Sequence, residues 1–359
     1  MRVEGGLITQ ELARAAEERG LFYPVDFAAT GSSTIGGNIA TNAGGMRVIH
    51  YGMTRDWVLG LKVVTGTGAV LELGGTTLKN NTGLDLLQLF IGSEGCLGFI
   101  AEATLRLAPP PVPSFLALAG LANLKNALEL LERGRASGYT FSLFEIFDES
   151  SLAAVRAHRG FSSPLEESHP WYALLEIEDD AGGEKEEEFL TFAGDLLEKE
   201  TIQDLALPES SAARAVFRAY REDISESLGA AGHPRKYDVS SPLENIVAFE
   251  RRARERIIQS GLAPAIFGHL GDGNLHVNVR RPESMSEEEF REKAPELDAE
   301  IYGLVREVSG SVSAEHGIGL LKRKYLEYNR SPEEIALMRA IKKLLDPAGI
   351  LNPGKSFAE

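Results

Sequence analysis

Apolar positions recur at helical spacing over residues 7–20, which predicts a helix ended by Gly20 with Thr9 as a cap. Residues 21–26 read as an extended piece. Runs of strand character at 58–65 and 69–73, joined by Gly66-Thr67-Gly68, predict a hairpin. A short helix to Phe90 and a strand at 101–107 follow, and Pro109, Pro110, Pro111 and Pro113 then read as a stiff linker. Beyond it the texture changes. Strands are predicted at 115–121, 140–147, 171–177 and 235–240, and helices at 123–137, 184–198 and 243–260. Residues 264–279 read as a hairpin and 286–308 as a long charged helix. A last helix, 331–345, is announced by Ser331 as cap and Pro332 at its first position. The pattern is that of an α+β protein. It predicts a domain at 1–108, an antiparallel-sheet domain at 114–284 with helices on one face, and a helical C-terminal segment at 285–359.

Two stretches interrupt this pattern with glycine. Residues 31–45 hold five glycines among small polar residues, so many backbone N–H groups are left open and a planar ligand can approach closely. A flexible surface loop would have similar composition. Ile35, Ile39 and Ala43 recur every four residues and argue for order. Residues 92–98 form a second glycine-rich turn that leads into a strand.

The hairpin carries the candidate chemistry. Gly271-Asp272-Gly273-Asn274 is a strong turn signal between apolar segments. A turn centred on Asp272-Gly273 pairs Leu270 with Leu275 and hence His269 with His276. Opposed residues of an antiparallel pair have Cβ atoms ~4.5–5.5 Å apart, within reach of one metal ion. Two histidines near a turn are also ordinary polar surface. Glu315-His316, in a segment of small residues bracketed by glycine, adds a carboxylate and a third imidazole. His269, His276 and Glu315 make a three-ligand set with an open position, as catalytic sites do. Two imidazoles and a carboxylate favour zinc, with manganese and iron as alternatives. His316 is then available as a general base. A plain surface pair of Glu315 and His316 is the competing reading.

Composition narrows the field. The 359 residues carry 37 Lys+Arg against 53 Asp+Glu, a net charge of −16, which argues against nucleic acid as a partner. The single Cys96 excludes an intrachain disulfide and suits a reducing compartment. No apolar run is long enough to span a membrane and the N-terminus does not read as a signal peptide. A cytoplasmic location is expected, or one peripheral to a membrane.

Six stretches together resemble a known family: STIGGNIATNAGG (33–45), YGMTRDWVLGLKVV (51–64), GSEGCLGFIAEATLRL (92–107), FGHLGDGNLHVNV (267–279), SVSAEHGIGLLKR (311–323) and LDPAGILNPGK (345–355). They resemble, in order, the FAD-linked oxidases of the vanillyl-alcohol oxidase/PCMH superfamily, in the branch of D-2-hydroxyacid dehydrogenases. That branch includes D-lactate dehydrogenase, the glycolate oxidase flavoprotein subunit and D-2-hydroxyglutarate dehydrogenase. The resemblance implies a PCMH-type FAD-binding domain and an antiparallel substrate, or cap, domain. It implies that Thr34, Ile35, Gly36, Gly37, Asn38, Thr41, Gly44, Gly45, Tyr51, Gly52, Gly92, Ser93, Glu94, Gly95, Ile100 and Asn352 line the flavin. His269, His276 and Glu315 match metal ligands, and His316 matches the catalytic histidine. Arg221, Ser225 and Lys236 resemble residues that hold a substrate carboxylate. Residues 220–225 read as a helix, which sets Arg221 and Ser225 on one face. The implied reaction oxidises a small D-2-hydroxyacid to the 2-oxoacid, with hydride passing to FAD N5, His316 taking the hydroxyl proton, and a separate acceptor protein or quinone removing the electrons. Family members begin with a segment that binds the FAD diphosphate, and Val3-Glu4-Gly5-Gly6 resembles a point after it. The FAD-binding domain is therefore expected to be partial. A homodimer, or the missing half as partner, is the expected assembly. The alternative to an enzyme is a truncated or split subunit that holds FAD poorly alone.

Overall fold

The computed structural model describes residues 1–77, 79–180 and 182–357. Its contacts divide the chain into two units, Met1–Pro111 with Val312–Glu359, and Val112–Ser311.

The first unit holds a four-stranded antiparallel sheet in the order β1-β4-β2-β3, formed by β1 (Arg2–Glu4), β2 (Val58–Val64), β3 (Val70–Gly74) and β4 (Phe99–Leu105). The β2–β3 hairpin is the one the sequence predicts. Its outer strand β3 has no fully buried position, as suits a sheet edge. The core joins Val58, Leu61 and Val63 of β2 to Ile100, Ala103 and Leu105 of β4, and to Leu12, Ile35, Ile39 and Phe90. The four-residue recurrence of Ile35 and Ile39 is the buried face of a helix, Ile35–Thr41, packed on β4. Thr34 caps it by accepting from Gly37 N at 3.2 Å. Asn42 ends it in the left-handed conformation. The glycine-rich stretch is thus ordered, and it is held there by burial. The helix Pro332–Leu345 begins at the predicted cap, where Ser331 and Glu334 form a capping box.

The second unit holds a seven-stranded antiparallel sheet. Its strands are β5 (Ser114–Leu121), β6 (Phe141–Asp148), β7 (Trp171–Glu178), β8 (Asp204–Ala206), β9 (Arg235–Ser240), β10 (Ala263–His269) and β11 (Asn274–Arg280), in the order β8-β5-β7-β6-β10-β11-β9. The expectation of helices on one face is corrected here. Every residue of β6 and nearly every residue of β5 and β7 is buried, and such strands need cover on both sides. The helix Leu124–Ala136 lies on the side of Phe141, where a Cβ added at Gly134 would come 2.5 Å from the ring. The helix Ser211–Glu222 lies on the opposite side. It presents Arg214 and Arg218 to the buried carboxylate of Glu176 at 2.6 and 2.7 Å.

The long helix Glu287–Glu307 packs against the helix Leu243–Gln259 and β9. Its buried Asp298 accepts from Tyr237 Oη at 2.8 Å and Arg235 Nε at 2.9 Å. This helix therefore clusters with the second unit, and the residues from Val312 onward cluster with the first.

The β10–β11 hairpin forms in a different register from the one expected. His269 pairs with Asn274 and His276 with Phe267. The cause is the connection. Leu270–Asp272 makes a turn of 3-10 helix and Gly273 stands at φ +77°, so four residues close the hairpin and not two. The shift is even in parity, so both histidines stay on the same face of the sheet.

Candidate functional site

In the second unit, strand parity gathers polar residues on one face. Glu145, His269, Asn274, His276, Asn278, Asp238 and Lys236 all project from it, with the Phe267 ring among them, following the registers of β6, β10, β11 and β9. Glu145, His269, Asn274, Asn278 and Asp238 are buried. His269 and His276 are diagonal neighbours with ring centroids 5.2 Å apart, edge to face. Each imidazole has a carboxylate at Nδ1. Glu145 Oε1 lies 2.6 Å from His269 Nδ1, and Asp238 Oδ1 lies 3.7 Å from His276 Nδ1. Glu145 also faces Arg221, whose Nε is 2.6 Å from its Oε2. That contact is an ion pair by distance, without the alignment of a hydrogen bond. Arg221 further lies over the Phe267 ring at 4.7 Å, and its Nη2 stands 3.4 Å from His269 Nε2. A carboxylate as deeply buried as Glu145 persists because two cationic or donor groups face it.

The donor chemistry of this face fits a divalent metal. Histidines that bind metal commonly pass their other ring nitrogen to a carboxylate, which fixes the tautomer. Glu145 stands in that relation to His269, while Asp238 lies on the Nδ1 side of His276 at ion-pair distance, beyond a hydrogen bond. Neither carboxylate was among the residues singled out from the sequence. Glu145 did leave a signal, as one charge in the otherwise apolar Phe144-Glu145-Ile146-Phe147. Asp238, in the half-polar β9, left none.

The residues expected to hold a carboxylate separate. The chain breaks its helix at Asp223, between Ser211–Glu222 and Ile224–Ala230. Arg221 is buried, while Ser225, one helix further on, is exposed. They do not share a helix face, which corrects the expectation drawn from their spacing. Lys236 is exposed on β9, opposite Asn278.

In the first unit the two glycine-rich stretches meet. Gly92 N donates to Ile39 O at 3.0 Å and Glu94 N to Ala40 O at 2.7 Å, so the 92–95 turn hangs from the end of the helix Ile35–Thr41. Asn352 donates its side-chain amide to Glu94 O, which brings the C-terminal motif to the same turn. Thr41 Oγ1 bonds back to Gly37 O at 3.1 Å. Asn38 is buried and donates to Thr9 Oγ1 at 2.7 Å. Ser93 is buried and bonds Phe90 O at 2.8 Å. Ile35 and Ile100 are core residues. Tyr51 accepts from Trp57 Nε1 at 3.0 Å through its carbonyl, with its ring edge to face with Phe22, His50 and Trp57.

Several of these glycines answer to the protein itself. A Cβ at Gly45 would fall 2.1 Å from Asp26 O, at Gly36 3.0 Å from Gly5 O, and at Gly52 2.4 Å from Asp56 Oδ2. At Gly44 it would lie 2.8 Å from Glu315 Oε1. Gly95 differs, with φ +70° and nothing within 4 Å of where its Cβ would stand. Gly37 and Gly92 are exposed. These uncovered stretches of backbone fit the approach of a flat cofactor. Cys96, beside them, is buried. Burial, with the Glu94 charge nearby, pushes its thiol above the ordinary range, which disfavours the thiolate.

Residues 111–356 match the family described as FAD linked oxidases, C-terminal domain, and residues 1–74 match the FAD binding domain. This chain belongs to the FAD-linked oxidases. It is 42% identical over 355 residues to the D-2-hydroxyglutarate dehydrogenase of Stutzerimonas stutzeri, covering 98% of this chain and 76% of that one. It is 44% identical over 361 residues to the enzyme of that name from Xanthomonas citri pv. viticola, covering 99% and 75%. Against the mitochondrial D-2-hydroxyglutarate dehydrogenase of Bos taurus it is 40% identical over 353 residues, 98% of this chain and 64% of that one. Among solved structures, p-cresol methylhydroxylase with substrate bound superposes with a TM-score of 0.72 at 16% identity, covering 100% of this chain and 76% of that one. Alkyldihydroxyacetonephosphate synthase gives 0.66 at 17% identity, with 98% and 64% covered. At these identities the likeness speaks for the fold alone. Like the family, this oxidase combines helices with antiparallel sheets. None of its described helices is long and apolar enough to cross a membrane.

Proposed function

We propose that this chain oxidises a D-2-hydroxyacid to the corresponding 2-oxoacid with FAD as cofactor and a divalent metal, zinc by its donor set, as helper. The observation that carries the reading is its 42–44% identity, over nearly all its length, to bacterial relatives named D-2-hydroxyglutarate dehydrogenase. The carboxylate-backed histidines on the second unit's sheet add the chemistry such a substrate needs. D-2-Hydroxyglutarate is the first substrate to test.

In this reading Arg221 and Lys236 hold substrate carboxylates, Arg221 as a planar fork and Lys236 as a point charge. His269, His276 and Glu315 are the metal ligands. Glu145 holds His269 through Nδ1 and Asp238 lies on the Nδ1 side of His276, and a bound metal would supply Lewis acidity toward the substrate hydroxyl. His316 takes the hydroxyl proton on an imidazole nitrogen. FAD, when bound, supplies the hydride acceptor. Residues 34–45, 51–52 and 92–100 with Asn352 form its protein surface, largely of backbone. The electrons leave to a separate acceptor, protein or quinone.

The test is dye reduction by the chain supplied with FAD and zinc. D-2-Hydroxyglutarate, D-lactate and glycolate are compared. Reduction with at least one, and faster with the D than the L isomer, is expected. No reduction with any of the three, in a preparation whose flavin absorbance shows FAD bound, overturns the reading.

A further inference from the structure

The side chain of Glu94 has no part in the reading above, which uses only its place in the glycine-rich turn. Glu94 stands at φ +53°, a left-handed conformation uncommon outside glycine. Its main chain is pinned on both sides, by its N–H on Ala40 O and by the Asn352 amide on its carbonyl. Held this way, its carboxylate meets the backbone just past His316. One oxygen, Oε1, accepts from Ile318 N at 2.7 Å, and the other, Oε2, accepts from Gly319 N at 2.8 Å. Hydrogen bonds to an ionised acceptor are about twice as strong as neutral ones. Gly317 makes the approach possible. It stands at φ +77°, and a Cβ there would lie 2.8 Å from Glu94 Oε1.

The same segment is secured before His316. Ser313 Oγ donates to Gly317 O at 2.8 Å, and Lys322 Nζ donates to Ser313 Oγ at 3.0 Å. The backbone on both sides of residue 316 is therefore anchored, while the His316 side chain is exposed. An unfavourable backbone conformation persists only where its surroundings over-determine it. Here they do, and the result is a carboxylate aimed at two consecutive amides.

We propose that Glu94 is a positioning residue. It ties the loop bearing His316 to the glycine-rich turn at 92–95, so that the base and the flavin surface keep one geometry. The proposal rests on the reading of His316 as the base. A misplacement of about 1 Å can lower a rate by about 100-fold without touching the reacting groups.

The experiment uses the full chain with added FAD and zinc and two variants that act from opposite sides, Glu94→Gln and Gly317→Ala. Hydrogen exchange of residues 313–319 is measured by mass spectrometry, and dye reduction gives kcat and KM. In both variants exchange at the Ile318 and Gly319 amides is expected to rise about 10-fold or more. The expected fall in kcat is about 10- to 100-fold, with KM and flavin absorbance within about 3-fold of the parent. Unchanged exchange in Glu94→Gln overturns the proposal. So does faster exchange with unchanged kcat, or a loss that appears in KM or flavin content instead. Should Gly317→Ala fail to fold, Glu94→Gln alone decides. His316→Asn runs alongside: if it keeps its kcat, the base reading fails and the proposal falls with it. The exchange data still report separately whether the clamp exists.

Discussion

The two units build their candidate surfaces from opposite materials. In the first, backbone does most of the work: glycine-rich turns meet main chain to main chain, and the exposed positions carry little side chain. In the second, ionisable side chains stand on one face of a sheet and are held by one another. The contrast has a physical root. Backbone N–H groups are already present at every residue, so a surface made of them needs only glycines that let the chain bend and a ligand approach. A face made of charged side chains must be desolvated, and it survives only if each charge meets its partner.

This comparison can be tested from both sides. The largest effect is expected at His316, which with Glu315 is a side chain on the backbone-built unit that is assigned chemistry. His316→Asn should lower kcat by about 10²–10⁴-fold with flavin absorbance retained. Dye reduction and a visible spectrum check it, and full turnover by the variant would remove the base from that unit. Next comes Glu145→Ala, which leaves Arg221 buried without its carboxylate. A loss of about 3–5 kcal/mol in urea unfolding is expected, with a smaller loss when Arg221→Leu is added, because breaking a buried pair costs more than removing it. Equal losses in the single and double variants would show that Glu145 matters for some other reason. Asp238→Asn should weaken zinc affinity by about 10–100-fold with little change in stability, measured by competition with a chelator. Smallest is the glycine pair. Gly45→Ala should destabilise by about 1–3 kcal/mol, since its Cβ would overlap Asp26 O. Gly95→Ala meets only its own backbone strain and should show itself mainly as weaker FAD binding, read by fluorescence titration.

Much of the architecture was legible in the chain. The hairpin at residues 58–74, the cap at Ser331 and most strands of the second unit follow from local pattern. The order of residues 31–45 could be read from Ile35 and Ile39. The face of the seven-stranded sheet was legible only in part. His269 and His276 announced themselves, but their register did not, because a 3-10 turn lengthened the connection. Arg221 and Ser225 looked like neighbours on one helix and are divided by a break at Asp223. Two-sided cover of β5–β7 was missed because continuous apolar runs look alike whether one face or both are packed.

By itself the sequence determined the kinds of element, the two glycine-rich stretches and the histidines. These rest on residue type and spacing within a few positions. The tertiary structure alone decided which carboxylate meets which partner. Glu145 reaches His269 across 124 positions, and Glu94 reaches the Ile318 amide across 224. No local pattern carries such a pairing. Only folding brings the two partners together, and burying a charge forces the choice of partner.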